Sequence, residues 1–443
     1  MRTASRSATT TTAPRYDAVR RELMASETVA LAGHLIDSGV LSAVLDDIGD
    51  YGGDYVVDDL QLGKGRDDES RARIVVSAQD ENALARLLMR LQTRGANLIS
   101  HQDAEVATAD RDGVFPDGFY SSTNLECEVR VEGRWIPVGN PEMDCGLVLE
   151  QGTGPADGSD VAVCARTIPM SDVRTGMRIV TGVVGVRVGT PAAVAHGRHR
   201  SEVFSFMDSA VSSEKPQGLL VRQIADQIRE VHESGRKVLW VGGPAVVHTG
   251  AAPAMVTMIR AGYVDVLFAG NALATHDIEA ALFGTSLGVD LAAGHGVEHG
   301  HEHHIRAINV IRRCGSIADA VDQGVLTGGL MHELVKQGKR FVLVGSVRDD
   351  GPLPDVYTDV IEGQRAMRAE LDNVGFCLMV ATMLHSVGTG NLLPASIPLV
   401  CVDINPATVT KLADRGSAQA RGIVTDVGLF LDQLARELIP GSA

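Results

Sequence analysis

The 443-residue sequence predicts a mixed α/β protein in which residues 201–443 form a doubly wound parallel sheet. The first observation behind this prediction is a series of short apolar runs rich in Val, Leu and Ile, typical of strands buried on both faces. The runs are KVLWVGG, YVDVLFAGN, RFVLVGS, FCLMVATM, IPLVCVD and RGIVTD. The second observation is that these runs alternate with stretches of helical periodicity, such as LLVRQIADQIREVHESG and PATVTKLADRG.

Two smaller regions and a tail precede this sheet. Residues 1–26 are Thr-rich and predict a flexible tail. Residues 27–112 predict the βαββαβ order of a ferredoxin-like α+β domain, with TVALAGH as the first strand and ANLISHQDAEVATA as the closing strand. Residues 113–200 hold short alternating runs between Gly, Pro and Asp, which indicates a small β-rich domain.

The charge, the apolar runs and the cysteines of the chain indicate which partners and which compartment fit this protein. The formal charge is −16, from 56 acidic and 40 basic residues, which argues against nucleic acid or an anionic membrane as a partner. No apolar run is long enough to span a bilayer. The six cysteines are scattered and form no CxxC pair, so we expect free thiols in a reducing cytoplasm.

Polar residues cluster where the predicted parallel strands end. The exits read GGPAVVHTG, GNALATHD, GSVRDDG, TMLHSVGTGN, DINP and TDVG, and ligands bind at this edge of open parallel sheets. Asp403 closes one strand, with Asn405 placed to cap the next helix and Pro406 suited to its first turn. A carboxylate there typically binds ribose hydroxyls and favours NAD over NADP. The competing interpretation of Asp403 is a simple turn residue.

The usual glycine fingerprint of dinucleotide-binding folds is absent, since no GxGxxG joins a strand to a helix. Two glycine-rich stretches, VGTGN at 387–391 and GGPAVVHTG, are candidates to present main-chain N–H groups to a pyrophosphate.

A second conspicuous feature is a histidine cluster, formed by His295, His299, His301, His303 and His304. Its spacing permits zinc chelation. We nevertheless expect no metal and interpret the cluster as a polar loop near a substrate entrance.

Several long motifs resemble one family. They are GPAVVHTGA, LFAGNALATHDIE, ALFGTSLGV, GSVRDDGPLPDV, ATMLHS, VCVDIN, VTKLADRGS and GIVTDVG, with NPEMDCG and SSEKP upstream. Together they resemble the archaeal-type ornithine cyclodeaminases, which carry the conserved domain of lysine-oxoglutarate reductase/saccharopine dehydrogenases. In that family the C-terminal half is similar to the NAD-binding fold of deoxyhypusine synthase, which would account for the missing fingerprint.

The resemblance implies an enzyme that converts L-ornithine to L-proline and ammonia with NAD as a catalytic cofactor. It implies NAD contacts at Asn271, Ala272, Asp350, Thr382, Met383, Leu384, His385, Asp403, Asp426 and Val427. We also expect a homo-oligomer.

The reaction needs a carboxylate-binding cation and groups for proton transfer. Lys215 in SSEKP is the candidate cation, with a solvated loop lysine as the alternative. Glu142 and Asp144 are candidates for binding the terminal ammonium or acting as the general base. His276 and Asp277 suit proton transfer, against the alternative of capping the helix that begins DIEAALFG.

Three other functions stay open at this point. The first is an NAD-dependent oxidoreductase acting on lysine or a saccharopine-like adduct. The second is a non-catalytic protein that senses amino acids or NAD. The third, which the motifs fit less well, is aminobutyl transfer through a lysine imine.

Overall fold

The computed structural model describes residues 25–35, 39–63, 68–151, 163–189, 217–287, 289–290, 302–349, 351–414 and 420–441. These residues divide into two compact units. The first is built on the strands before residue 190. The second contains everything from residue 217 onward, together with the short segment Pro141–Asp144.

The first unit begins with the predicted βαββαβ order. Its elements are β1 (Ala25–Gly33), α1 (Val40–Asp50), β2 (Asp54–Gln61), β3 (Ser70–Ala78), α2 (Glu81–Gln92) and β4 (Asn97–Leu98). The strands form one sheet in the order β2-β3-β1-β4, which is the split arrangement predicted for this region. Asp80 caps α2 by accepting the N–H of Ala83.

The second sheet of this unit has seven strands. They are β5 (Glu105–Thr108), β6 (Cys127–Val131), β7 (Arg134–Gly139), β8 (Gly146–Gln151), β9 (Val163–Ile168), β10 (Arg178–Thr181) and β11 (Val186–Val188). The stretch predicted as one closing strand is divided, because β4 closes the first sheet and β5 lies at the edge of the second. The exact domain boundaries remain predictions.

The second unit alternates helices and strands, as predicted. Its strands are β12 (Lys237–Gly242), β13 (Val266–Gly270), β14 (Thr285–Ser286), β15 (Val289–Asp290), β16 (Arg340–Val344), β17 (Val356–Tyr357), β18 (Val374–Val380), β19 (Leu399–Asp403) and β20 (Ala420–Val424). Its helices are α3 (Gln217–Glu233), α4 (Ala245–His248), α5 (Ala252–Arg260), α6 (Asn271–Phe283), α7 (His303–Cys314), α8 (Ile317–Asp322), α9 (Leu330–Lys336), α10 (Val360–Ala369), α11 (Leu384–Leu392), α12 (Pro406–Asp414) and α13 (Val427–Leu438).

Seven of these strands form one parallel sheet in the order β17-β16-β13-β12-β18-β19-β20. The six apolar runs are six of its strands, so the predicted fold class is confirmed. The chain runs outward from β12 to β16 and then returns to β18 on the other side of β12. The order of connection therefore reverses between β12 and β18, and the edge beyond such a switch point is where doubly wound sheets bind ligands.

Apolar side chains cover both faces of this sheet. Along β12, Val238 and Trp240 pack into one buried cluster with α3 and α13, whereas Leu239 and Val241 pack into a second cluster on the opposite face. This alternation follows from the two-residue period of a strand. It explains why the strand sequences are apolar without interruption.

The described residues give two further facts about the class of protein. None of their helices combines the length and the apolarity that crossing a membrane requires. All six cysteines are free thiols, as predicted, and Cys127, Cys145, Cys377 and Cys401 are buried.

Candidate functional site at the carboxyl edge of the parallel sheet

Two helices begin without a side-chain cap on either side of the switch point. Helix α6 starts at Asn271 directly after β13, and α11 starts at Leu384 after β18. By contrast, Asn405 and Asp426 accept main-chain N–H groups at the starts of α12 and α13, at 3.0 and 2.8 Å. The first N–H groups of a helix need partners, and their dipole favours anions. The two uncapped helix starts are therefore suited to binding phosphate groups.

The glycine-rich stretch VGTGN is not a loop. It lies inside α11, where the main-chain N–H groups serve the helix, so the predicted role of 387–391 as a pyrophosphate loop is wrong. The TMLH motif instead lies between the end of β18 and the first residues of α11. Thr382 and Met383 are half-buried there, and Leu384 is 71% exposed.

Strands β12 and β18 remain in close contact at the switch point. The N–H of Gly243 donates to the carbonyl of Val380 at 3.0 Å, and a Cβ at position 243 would lie 1.8 Å from the carbonyl oxygen of Ala381. Ala381 itself has a φ of 52°, a left-handed conformation that is uncommon for a residue with a side chain. The sequence GGP thus brings the main chains together where the strand order reverses.

Asn271 and His385 connect the exits of β13, β16 and β18. The Asn271 Oδ1 accepts the N–H of Leu353 at 3.0 Å, which ties the start of α6 to the loop after β16. His385 hydrogen-bonds to the main chain of Val344, and its ring lies over Gly270, where a Cβ would come within 2.9 Å of Cε1. Burial lowers the pKa of His385, so its imidazole is neutral at pH 7. Ala272, beside Asn271, is half-buried.

Asp403 ends β19, and among the described residues one of its side-chain oxygens accepts a hydrogen bond. Its Oδ1 accepts the N–H of Asn405 at 2.8 Å, and the residue as a whole is 8% exposed. The side chain of Asn405 in turn caps α12, and Pro406 occupies the first turn, as predicted. Burial, assisted by the Asp403 carboxylate, raises the pKa of Cys401 to about 12. Asp403 thus lies at the end of β19, the strand that follows α11.

Asp426 and Val427, the last two predicted cofactor contacts, both stabilise the fold. Asp426 is the N-cap of α13, and its Oδ1 lies where a Cβ at Gly428 would be 3.1 Å away. The side chain of Val427 is buried in the core. Any contact of this segment with a cofactor would therefore involve the second oxygen of Asp426 or the main chain.

A second polar cluster lies beside the edge, between α4, α6 and α7. The His276 Nδ1 hydrogen-bonds to the Glu279 Oε2 at 2.8 Å, and both side chains are buried. The His248 ring lies 4.8 Å from the His276 ring, and the His304 ring lies 6.3 Å from it. Burial, assisted by His276, lowers the pKa of His248, which keeps that ring neutral. Glu279 was missed from the sequence, although its spacing of three residues from His276 places both on one helix face.

Asp277 lies inside α6, so it does not cap a helix that begins DIEAALFG; it caps α9 instead. Its two carboxylate oxygens accept the N–H groups of Leu330 and Met331, each at 2.8 Å, at the start of α9. Burial raises the pKa of Asp277 to about 6 against the opposing effect of these two hydrogen bonds. A carboxylate committed in this way is poorly placed to exchange protons, so we leave Asp277 out of the proposed catalytic set.

Glu142 lies in an ion pair. The Nε of Arg368 in α10 donates to both of its carboxylate oxygens, at 2.9 and 2.8 Å, and the Glu142 side chain is 8% exposed. Helix α10 ends just before β18 begins, which places this pair toward the amino edge of the sheet, away from the strand exits. Asp144 is exposed, with a φ of 58°. The structure thus does not bring Glu142 together with His276.

Several predicted residues lie outside the described part of the chain. Lys215 and Asp350 are among them, as are His295, His299 and His301 of the histidine cluster. Within the described residues, no group of three or more His, Cys, Asp or Glu side chains has an arrangement that could hold a metal ion.

Comparisons with known protein families match consecutive parts of the chain. Residues 26–125 match the LOR/SDH bifunctional enzyme conserved region. Residues 126–221 match the first region of the C-terminal part of ArgZ-like arginine dihydrolases, and residues 222–434 match the Rossmann-fold region of that part.

Curated relatives cover almost the whole chain. An ornithine cyclodeaminase of Methanothermobacter thermautotrophicus is 49% identical over 94% of this chain and 98% of its own length. One of Methanocaldococcus jannaschii is 48% identical over 93% and 95%. The bifunctional arginine dihydrolase/ornithine cyclodeaminase AgrE of Nostoc is 42% identical over 93% of this chain, which spans 58% of AgrE.

Solved structures of related proteins also match this chain. The apo structure of the cyanobacterial arginine dihydrolase ArgZ matches with a TM-score of 0.79 and 37% identity, over 94% of this chain and 58% of ArgZ. A putative LOR/SDH protein of Methanococcus maripaludis matches with a TM-score of 0.68 and 46% identity, over 76% of this chain and 98% of that protein.

Proposed function

Because the chain belongs to the family of archaeal ornithine cyclodeaminases and their cyanobacterial relatives, we propose that it converts L-ornithine to L-proline and ammonia, with NAD as a catalytic cofactor. The observation that carries this proposal is identity close to one half with archaeal cyclodeaminases over nearly the full length of both chains. The matched residues 222–434 include the carboxyl edge and the polar cluster of His248, His276 and Glu279.

The residues at the edge fit NAD chemically. The uncapped start of α11, with Thr382 beside it, supplies N–H and hydroxyl donors for a pyrophosphate. The second oxygen of Asp403, Oδ2, is our candidate acceptor for the ribose hydroxyls of the adenosine half, and the carboxylate would repel a 2′-phosphate. When bound, NAD supplies a hydride acceptor for the substrate Cα–H and returns the hydride after ring closure, so no net oxidation occurs.

In this proposal, residues of the protein exchange protons with the substrate and hold it in position. His276 is our candidate for proton exchange with the substrate amine, because it is a histidine held by a buried carboxylate close to the strand exits. Ordering the substrate so that its δ-amine faces Cα accelerates the intramolecular step through proximity. Lys215 remains our proposal for the carboxylate-binding cation. Asp144 remains a candidate for the terminal ammonium, whereas the Arg368 ion pair argues against Glu142 in that function.

The experiment is product analysis with labelled L-ornithine and a catalytic amount of NAD⁺. We expect labelled proline and ammonia in equal amounts, with no accumulation of NADH. Accumulation of NADH with ornithine or lysine would instead support the amino-acid dehydrogenase alternative. If NAD⁺ binds but none of these amino acids turns over, the sensing alternative gains support.

The proposal also covers the compartment and the oligomeric state of the enzyme. We propose a reducing cytoplasmic compartment, which the six free thiols support. We also propose a homo-oligomer, and light scattering after size-exclusion chromatography tests it, since a mass near the monomer's 46.9 kDa would contradict it.

A further inference from the structure

We propose that Glu279 is a positioning residue for the reaction, holding His276 with its proton on Nδ1 so that Nε2 exchanges protons. This inference rests on the proposed function for its kinetic consequences. The orientation and tautomer of His276 can be tested without it.

The hydrogen bonds around Glu279 determine its charge and orientation. Besides His276 at Oε2, the carboxylate accepts the hydroxyl of Thr285 at Oε1, at 3.0 Å, and the N–H of Leu287 at Oε2, at 3.3 Å. These two donors, from Thr285 and Leu287, favour the ionised form of the buried carboxyl. An ionised carboxylate can only accept, so the His276 Nδ1 must be the donor, which leaves Nε2 as the other ring nitrogen.

The hairpin of β14 and β15 contributes to this arrangement in two ways. Thr285 binds Glu279, and the adjacent Ser286 hydroxyl hydrogen-bonds to the His248 Nδ1 at 2.6 Å. The turn places Leu287 at a φ of 54°. A left-handed conformation is strained for leucine, and such strain persists where surrounding contacts fix the main chain. Here the strained turn directs the Leu287 N–H toward Glu279.

The chain of hydrogen bonds extends to the half-buried His303 on α7. The His303 Nδ1 lies 2.8 Å from the Thr285 hydroxyl oxygen. Because that hydroxyl donates its hydrogen to Glu279, its oxygen accepts from His303, which fixes the proton of His303 on Nδ1 as well. The same buried acid thus orients two histidines from two different helices.

Neighbouring charges decide how Glu279 affects catalysis. The other titratable groups with a ring contact to His276 among the described residues are His248 of α4 and His304 of α7. Next along α6, Asp277 is directed to α9. A protonated His276 would be repelled by a second cation, whereas the Glu279 anion stabilises it. His276 can therefore accept a proton at Nε2 while its Nδ1–H bond to Glu279 stays intact.

The main experiment compares Glu279→Gln and Glu279→Asp with Glu362→Gln, an exposed control on α10. Ornithine turnover and NAD⁺ affinity are measured from pH 5 to pH 9. For Glu279→Gln we expect a kcat lower by about 10²-fold or more, since general base catalysis contributes at least that much. The acidic limb of its pH profile should also move, because the anion that pairs with the His276 ring is lost. Glu279→Asp keeps the negative charge, so we expect the acidic limb of its pH profile to stay in place and part of the activity to remain.

Three outcomes would overturn the proposal: Glu279→Gln with wild-type kcat, a reduced kcat with an unmoved acidic limb, or Glu279→Asp behaving like Glu279→Gln. Unchanged NAD⁺ affinity shows that the edge of the sheet is intact. Should Glu279→Gln fail to fold, NMR of the wild-type enzyme labelled with ¹⁵N-histidine decides, with His276→Gln identifying the signal. A neutral His276 protonated at Nε2 contradicts the proposal, even if ornithine proves not to be the substrate.

Discussion

Asp403→Asn tests the cofactor assignment most directly, because the substitution is nearly isosteric and local. The Asn Oδ1 can still accept the N–H of Asn405, so the turn that begins α12 is preserved. The other oxygen, Oδ2, is replaced by an NH₂ donor, and the negative charge is lost. Asp432→Asn on α13 is the matched control, since Asp432 is exposed and pairs only with the equally exposed Arg436.

The expected magnitude follows from that single oxygen. A hydrogen bond to a charged group contributes about 1.5–3 kcal/mol. Because about 1.4 kcal/mol corresponds to tenfold in affinity, the Kd for NAD⁺ should rise about 10- to 150-fold. The affinity for NADP⁺ should fall less or improve, since the repulsion between the Asp403 carboxylate and a 2′-phosphate is removed.

Isothermal titration calorimetry with NAD⁺ and NADP⁺ measures both effects, and thermal unfolding checks that Asp403→Asn folds like the control. If Asp403→Asn binds NAD⁺ within twofold of the wild type, with unchanged discrimination against NADP⁺, Asp403 is only a turn residue. The adenosine half of the cofactor would then have to bind elsewhere.

Three other substitutions separate structural from functional residues. The amide side chain of Asp277→Asn can accept only one of the two N–H groups, so urea unfolding should show a loss of about 1–3 kcal/mol while kcat stays within twofold. Because burial raises the pKa of Asp277 to about 6, the protonated form stabilises the fold at low pH. The stability of the wild type relative to this variant should therefore fall as pH rises through about 6. Glu142→Gln, which leaves the Arg368 cation without its anion, should lower the unfolding free energy by about 1.5–3 kcal/mol and leave NAD⁺ affinity unchanged in titration calorimetry. Gly243→Ala should lower both Tm and NAD⁺ affinity, because its Cβ meets a main-chain oxygen at 1.8 Å, whereas Gly218→Ala, with open space around it, should change neither.

The sequence by itself was sufficient for features that depend on neighbouring residues. Uninterrupted apolar runs predicted six strands of the parallel sheet, because strands buried on both faces need no polar alternation. The cap of α12 was also predictable, since Asn405 and Pro406 act within one turn of the chain. The edge that carries the polar residues followed from the fold class, because the exits of parallel strands lie at one edge.

Only the tertiary structure decided which polar side chains are committed to the fold. The oxygens of Asp277 bind residues more than fifty positions away, and Glu142 pairs with an arginine 226 positions away. Conversely, the His276 and Glu279 pair gains its further donors from a hairpin that sequence periodicity does not reveal. Whether a carboxylate acts in chemistry or in packing depends on the donors that folding brings to it, and local sequence does not specify those distant donors.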